Sequence, residues 1–233
     1  HWTDPAPGVL NYANRILRRA GFRIRLRKDI DHRSEMTTIE HRINLFHLVD
    51  QVCAYGVSGA FVEIGCFIGE TAQVIGTVMK EHGVDGPLFL FDSFEKDFGH
   101  SGADLQRVLR QNLERAQLKA PSIVAGRFEE TLLTHLPDKI AFCHIDCGFG
   151  GDPSLHADVV ELCLQQVYPK LSSRAIVALM DYHDGTHASA RNSNPGARIG
   201  ADRFLADKPE KMCAIFAGDG AQGYFRKQSF SRI

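Results

Sequence analysis

The stretch that decides the fold is Val62-Glu63-Ile64-Gly65-Cys66-Phe67-Ile68-Gly69, which completes an apolar run beginning at Ala60. Residues 60–64 predict a strand, and a helix is predicted from about 70 to 81. Between them, Gly65 permits a sharp turn with close backbone approach, and Gly69 permits close entry into the helix. The spacing G-x-x-x-G is neither the G-x-G-x-x-G of dinucleotide enzymes nor a P-loop. The stretch therefore predicts a strand, a glycine turn and a helix, and the neighbouring segments decide its meaning.

The same alternation of strand and helix continues along the chain. Further strands are predicted at 87–91, 122–125, 139–145 and 174–180. Further helices are predicted at 36–55, 103–118, 129–135 and 153–168, the first of them capped by Thr37 or Thr38. A hairpin is predicted at 212–216 and 223–226. This pattern favours an α/β fold, with a mostly parallel doubly wound sheet and a C-terminal antiparallel hairpin.

Length and composition fit one domain with a short extension. The chain has 233 residues, of which 44% are hydrophobic and 24% are charged, enough for one core. We predict a basic N-terminal extension over residues 1–35 and a single domain over residues 36–233. Residues 15–28 include seven Arg or Lys residues. They form either a solvated face or a surface that docks to an anionic partner such as a membrane or a phosphorylated acceptor.

Charge and hydropathy exclude several classes of protein. The net charge of −1 gives no general attraction to nucleic acid. No apolar run approaches the roughly 20 residues of a membrane span, so we expect no transmembrane segment, and we expect no signal peptide. Six cysteines scattered among apolar residues predict reduced, buried thiols, which are typical of a cytoplasmic compartment.

An acidic residue follows the second predicted strand. In doubly wound sheets, ligands bind outside the carboxyl ends of the strands. Asp92 lies at such an end, 27 positions after Gly65. A carboxylate there accepts hydrogen bonds from both hydroxyls of a ribose, whereas the alternative role is a helix or turn cap. Together with the glycine turn, Asp92 favours a nucleoside-containing ligand.

Two further aspartates follow the fourth and fifth predicted strands. Asp146 ends the run His144-Ile145-Asp146, and Asp181 begins the run Asp181-Tyr182-His183-Asp184. Because the carboxyl ends of adjacent strands meet at one edge of the sheet, we expect the two carboxylates to converge on one site. Such a pair either coordinates a divalent cation or orients an acceptor hydroxyl.

Taken together, these segments resemble the macrocin O-methyltransferase family of the TylF type. The matching pieces, which span about 36 to 206, are Met36-Thr37-Thr38 with Arg42, Val62-Glu63-Ile64-Gly65 with Gly69, Phe91-Asp92-Ser93-Phe94-Glu95, Gly126-Arg127-Phe128 with Thr131-Leu132, His144-Ile145-Asp146, Tyr168-Pro169-Lys170-Leu171, Asp181-Tyr182 and Gly196-Ala197. The runs 91–95 and 144–146 are the most specific to that family.

The resemblance implies a Rossmann-like class I methyltransferase that uses S-adenosylmethionine. It implies methyl transfer to a hydroxyl of a sugar, glycan or natural-product acceptor, together with Mg²⁺ and a homo-oligomeric state. By the resemblance, Asp92 and Ser93 bind the ribose, and Arg127 and Phe128 lie near the adenine. The residues assigned to the rest of the cofactor are Met36, Thr37, Glu63, Gly65, Gly69, Thr71 and Asp146. The metal ligands would be Asp146 and Asp181.

The sequence departs from the family pattern at the expected acidic positions. The family usually continues H-[LI]-D-x-D-x-Y and has paired aspartates before a tyrosine, whereas this chain has Gly148, Phe149 and Met180. Without a strong metal site, a general base must take the proton from an alcohol. The candidates are Asp146, His144 and His183, and a histidine is the better base near neutral pH.

Three functions are compatible with these residues. The leading prediction is an O-methyltransferase, with acceptor recognition on the loops 148–153 and 182–196, since loops this long are often functional. The alternative is a catalytically impaired methyltransferase fold that binds the cofactor and serves as a partner module. A nicotinamide oxidoreductase is disfavoured because G-x-G-x-x-G is missing.

Overall fold

A computed structural model describes residues 8–22, 37–96, 98, 104–148, 151–183, 194–218 and 220–228. The chain divides into two compact units, His1–Glu35 and Met36–Ile233. In the first unit, helix α1 spans Gly8–Arg19, and its Arg15, Arg18 and Arg19 side chains are exposed. The strand predicted just after Gly21 falls largely outside the described residues.

The second unit is built on one mixed sheet, as predicted. Its strands are β1 (Ala60–Ile64), β2 (Leu88–Asp92), β3 (Ser122–Ala125), β4 (Ile140–Ile145), β5 (Leu171–Leu179), β6 (Cys213–Phe216) and β7 (Ala221–Arg226). The strand order is β3-β2-β1-β4-β5-β7-β6. Strands β1 to β5 are parallel, and β7 runs antiparallel to β5 and β6. The predicted fold class is confirmed.

Helices cover both faces of this sheet. They are α2 (Ile39–Ala54), α3 (Glu70–Glu81), α4 (Leu105–Arg115), α5 (Phe128–His135), α6 (Pro153–Val167) and α7 (Gly196–Leu205). A short 3₁₀ helix at Tyr168–Lys170 leads into β5. Successive strand residues point to opposite faces. Val62 therefore joins the core beneath α5, α6 and α7, whereas Phe61 joins the core beneath α2, α3 and α4. Strands buried on both faces are typical of a parallel sheet with helices on each side.

Helix α2 begins at a capping box that also fixes the β6–β7 turn. The Thr38 hydroxyl accepts a hydrogen bond from the His41 backbone N–H at 3.1 Å and donates one to the Ala217 carbonyl at 2.7 Å. Of the two predicted N-caps, Thr37 and Thr38, the structure has Thr38. None of the described helices is long and apolar enough to cross a membrane. All six cysteines are free thiols; four are buried as predicted, whereas Cys53 is half-buried and Cys213 is exposed.

Helix α7 differs from the sequence prediction, which places a loop at 182–196 and no helix between that loop and residue 212. Its apolar residues Ala197, Ala201, Phe204 and Leu205 do follow a helical spacing. Two glycines obscure that pattern, since glycine is a poor helix former. They are needed for close packing on α6: a Cβ added at Gly196 would lie 2.6 Å from the Pro153 carbonyl oxygen, and one added at Gly200 would lie 2.4 Å from that of Ala157.

Candidate functional site

The turn after β1 brings three strand ends into direct contact. The Gly65 N–H donates to the Phe91 carbonyl, and the Asp146 N–H donates to the Ile64 carbonyl, both at 2.8 Å. Gly65 has φ +88°, and a Cβ added there would lie 1.7 Å from the Asp146 carbonyl oxygen. Glycine is therefore required at this position for two reasons, the left-handed backbone and the absence of room for a side chain. The close backbone approach expected at Gly65 is therefore made by the backbone of Asp146, just after β4.

Asp92 joins the segments that follow β1 and β2. One carboxylate oxygen accepts from the Phe67 N–H and the other from the Phe94 N–H, each at 2.8 Å. Burial raises the pKa of Asp92, and hydrogen bonds from the backbone N–H groups of Phe94, Phe67 and Cys66 oppose that rise. A carboxylate has about four acceptor positions, so at least one is left for a ligand. Asp92 is only partly buried, which leaves such a position within reach of ribose hydroxyls.

Two aromatic residues beside Asp92 adopt an unusual backbone conformation. Phe67 has φ 43° and Phe94 has φ 56°, a region that costs non-glycine residues about 1–2 kcal/mol. The bonds to Asp92 hold both residues in place, and the Phe67 ring packs edge-on against Phe98 with centroids 5.1 Å apart. Sequence reasoning missed this aromatic arrangement, since no local pattern signals a left-handed phenylalanine.

The other predicted cofactor residues lie around the same edge. Thr37 donates to Glu70 Oε2 at 3.1 Å and accepts from Arg42 Nε at 2.9 Å, which ties the start of α2 to the start of α3. Thr71 is buried in the first turn of α3, and Gly69 is the left-handed residue that caps this helix. Ser93 follows Asp92 directly, and Arg127 and Phe128 begin α5. Met36 lies outside the described residues.

Asp146 and Asp181 face one small cavity, together with Gly148 and His156. Asp181 is 8% exposed and has φ 56°, and its Oδ2 accepts a hydrogen bond from Asn194 Nδ2 at 3.1 Å. Burial, and next the negative charge of Asp181, raise the pKa of Asp146 to about 7. The structure therefore places the two carboxylates at one cavity, close enough for the charge of Asp181 to raise the pKa of Asp146.

A second ionisable pair lies inside the sheet. Glu63 and His144 are register partners on β1 and β4, and Glu63 Oε1 lies 2.8 Å from His144 Nδ1. Both side chains are 0% exposed. Within the described part of the chain, Glu63 Oε2 and His144 Nε2 have no hydrogen-bond partner. Neither side chain reaches the surface of the site, and His183 is likewise buried, at 3% exposure.

The described residues do not fit a divalent cation. An oxygen-ligand cation such as Mg²⁺ needs six donors in a regular geometry, of which carboxylates supply the charge. Among residues 37–96, 104–148, 151–183 and the other described ranges, no three His, Cys, Asp or Glu side chains form such a group. Glycine and methionine occupy positions 148 and 180, where the resemblance leads one to expect carboxylates.

The sheet order, the glycine turn at Gly65 and the aspartate at the end of β2 are consistent with a methyltransferase. A family profile described as a methyltransferase domain matches residues 62–182, which are 121 of the 233 residues. The chain belongs to that family. The prediction of a methyltransferase is confirmed. Solved structures with this fold were determined with S-adenosylmethionine or S-adenosylhomocysteine, the cofactor predicted here and its product.

Solved structures share this fold. The O-methyltransferase NovP is 21% identical with a TM-score of 0.65, over 82% of this chain and 81% of that one. CalS11, a TDP-rhamnose 3'-O-methyltransferase of calicheamicin biosynthesis, is 19% identical with a TM-score of 0.56, over 79% and 77%. The O-methyltransferase TomG from Streptomyces achromogenes, in complex with S-adenosylmethionine, is 13% identical with a TM-score of 0.57, over 96% and 91%. A comparison with curated protein sequences gives no match.

Proposed function

We propose that this protein is a TylF-type O-methyltransferase that acts on a hydroxyl of a small-molecule acceptor, namely a sugar, a glycan or a natural product. The observation that carries the proposal is the partly exposed residue Asp146, which follows β4 and lines the same cavity as Asp181. Methylation of an alcohol needs a group that takes up the hydroxyl proton. A carboxyl group whose pKa is raised to about 7 is suited to that task near neutral pH.

Accessibility decides among the three candidate bases. A general base must lie within hydrogen-bond reach of the proton that it takes. His144 is 0% exposed and faces Glu63, and His183 is 3% exposed. Asp146 is the most accessible of the three. We therefore assign the base role to Asp146, and we assign His144 and Glu63 to positioning the end of β4.

For the cofactor we propose a division of roles around the turn after β1. Asp92 and Ser93 bind the ribose hydroxyls, and Arg127 and Phe128 bound the adenine. Gly65, Gly69, Thr71, Thr37 and Met36 surround the methionine portion. Glu63 is fully buried, so it contributes to the methionine end of the site only by holding His144 in place. Most of the catalytic acceleration comes from holding the acceptor oxygen in line with the methyl–sulfur bond.

We further propose that residues 1–35 are a basic extension of the methyltransferase domain at 36–233, and that the protein is a cytoplasmic homo-oligomer. The free thiols support the compartment, and the family resemblance supports the oligomer. A second candidate function is a cofactor-binding partner module without turnover. Gly148 and Met180 favour it, because they replace expected carboxylates.

One set of measurements separates these candidates. Calorimetry with S-adenosylmethionine, S-adenosylhomocysteine and NAD is expected to show binding of the first two only; a protein that binds neither contradicts the proposal. Release of S-adenosylhomocysteine is then followed with a panel of sugar, glycan and natural-product alcohols, and turnover of at least one excludes the partner module.

The variants Asp92→Ala and Asp146→Asn test the roles within the site. The first is expected to weaken cofactor binding, and the second to lower turnover while cofactor affinity is kept. Asp85→Asn is the matched control, since the Asp85 side chain is fully solvated at 99% exposure. The reverse pattern, with Asp146→Asn losing cofactor affinity and Asp92→Ala keeping it, would undo the assignment.

A further inference from the structure

We infer that the Asn194 carboxamide takes the place of a divalent cation at the Asp146–Asp181 pair, so that methyl transfer by this chain needs no metal ion. The inference rests on the proposed function, because it concerns how the same site activates an alcohol. Its basis is the geometry around Asp181, where a hydrogen-bond donor occupies space that a ligand set would need.

The donor is fixed by contacts on both sides. Asn194 Nδ2 donates to Asp181 Oδ2 at 3.1 Å. The Asn194 carbonyl accepts from the Ala197 N–H at 3.3 Å, which attaches the residue to the first turn of α7. Helix α7 is in turn packed closely on α6, since Gly196 leaves no room for a side chain against Pro153. The position of the carboxamide is therefore set by the packing of α7.

Position 148 lies in close contact with the Asn194 side chain. A Cβ added at Gly148 would lie 2.9 Å from Asn194 Nδ2 and 3.1 Å from Asp181 Oδ2. The first distance is too short for a real contact, so an aspartate at 148 would require the Asn194 side chain to move from its place beside Asp181. Glycine at 148 and asparagine at 194 thus form one arrangement, in which a neutral donor replaces an acidic ligand.

The carboxamide and a cation have different consequences for the two carboxylates. An amide offers N–H donors with a partial positive charge, which satisfies one oxygen of Asp181 and leaves its full negative charge in place. A divalent cation would neutralise both carboxylates and demand further oxygen donors. Within the described ranges, no third His, Cys, Asp or Glu side chain joins Asp146 and Asp181, so further donors would have to come from carbonyl groups or water.

The reaction balances without a cation. The acceptor oxygen attacks the methyl carbon of S-adenosylmethionine, and a new C–O bond forms as the C–S bond breaks. The electron pair of the C–S bond stays on sulfur, which becomes the neutral thioether of S-adenosylhomocysteine. The hydroxyl proton passes to the Asp146 carboxylate and then to solvent, so Asp181 with Asn194 serves to position the acceptor rather than to hold a metal.

The test is metal binding, measured directly on the full chain. Protein freed of metal with EDTA is titrated with Mn²⁺ and Mg²⁺ in the presence of S-adenosylhomocysteine, by electron paramagnetic resonance for Mn²⁺ and by calorimetry for both. We expect no stoichiometric binding to the natural chain and no change of S-adenosylhomocysteine affinity with either metal. Stoichiometric Mn²⁺ binding that is lost in Asp181→Asn would overturn the inference. The expected result is measured on the natural chain, so it does not depend on the folding of a variant.

A second arm uses Asn194→Asp, which adds a third carboxylate beside Asp181. It is expected to gain stoichiometric Mn²⁺ binding that the natural chain lacks, because added carboxylates raise the affinity of an oxygen site. Asn44→Asp is the matched control, since Asn44 lies on α2 and its side chain donates to the Phe216 carbonyl of β6. A folded Asn194→Asp that gains no affinity over the control contradicts the arrangement proposed here. Failure to bind S-adenosylhomocysteine at all would instead refute the proposed function, whatever the metal result.

Discussion

The close contact between Gly65 and the end of β4 makes a quantitative prediction for Gly65→Ala. The added methyl would lie 1.7 Å from the Asp146 carbonyl oxygen, well inside any real contact distance. The left-handed backbone alone costs an alanine about 1–2 kcal/mol. Relief of the overlap must also separate two buried backbone hydrogen bonds, Gly65 N–H to Phe91 and Asp146 N–H to Ile64, at about 1 kcal/mol each or more. We expect a total loss of about 3–5 kcal/mol in the free energy of unfolding.

Gly83→Ala is the matched control for that variant. Gly83 also has a left-handed backbone, with φ +65°, yet nothing lies within 4 Å of an added Cβ. It follows the C-terminal end of α3, where glycine is favoured for its backbone alone. The control is therefore expected to lose only about 1 kcal/mol. The difference between the two variants isolates the contact between the ends of β1 and β4.

Urea unfolding followed by circular dichroism gives both free energies, and calorimetry with S-adenosylhomocysteine gives the effect on the site. Gly65→Ala is expected to lose cofactor affinity as well, because the same shift displaces the turn that holds Phe67 against Asp92. Gly83→Ala is expected to bind the cofactor normally. Equal losses of stability in the two variants would refute the claim that crowding, rather than backbone conformation, requires glycine at position 65.

Three further predictions follow from the buried polar groups. Asp146→Asn is expected to stabilise the fold at pH 8 but not at pH 4: the folded pKa of about 7 lies above the unfolded value of about 3.9, so ionisation opposes folding as pH rises between them. Urea unfolding at both pH values checks the sign, and a gain confined to pH 4 contradicts it. His144→Leu leaves Glu63 buried without its partner and is expected to cost about 3–5 kcal/mol, most of which the double variant with Glu63→Leu restores; equal losses in the two variants argue against a paired role. Thr38→Val removes the cap of α2 and the bond to Ala217 and is expected to lower stability by about 1–2 kcal/mol, with thermal melting as the readout and no change as the refuting result.

The elements that could be predicted from the sequence are those whose signal is local. Strands β1 and β3 and helix α3 have the predicted bounds, because apolar runs and glycines mark them within a few residues. Strand β5 begins at Leu171, earlier than the predicted start at residue 174. Inside it, Arg174 adopts φ 70°, which interrupts the regular strand geometry. Local patterns do not reveal such an irregularity, which depends on pairing with neighbouring strands.

The site was predictable as far as strand ends determine it. Asp92, Asp146 and Asp181 lie where the ends of parallel strands meet, so their grouping follows from topology. The partners of these residues do not follow. Glu63 and His144 are 81 positions apart and meet only because β1 lies beside β4. Asn194 ends a polar stretch of sequence with no periodicity, and its bond to Asp181 depends on the placement of α7.

The two halves of the site are held by different kinds of contact, and this difference bears on function. Around Asp92 and Gly65 the contacts are made by backbone N–H and carbonyl groups, which any sequence with the required glycine and aspartate can supply. Around Asp181 they are made by side chains, above all the carboxamide of Asn194, and by the lack of one at Gly148. Substitution therefore alters the second half without disturbing the sheet. A methyltransferase can accordingly keep one cofactor while its acceptor and its means of activating a hydroxyl change, and this chain is best tested for such a change at Asn194.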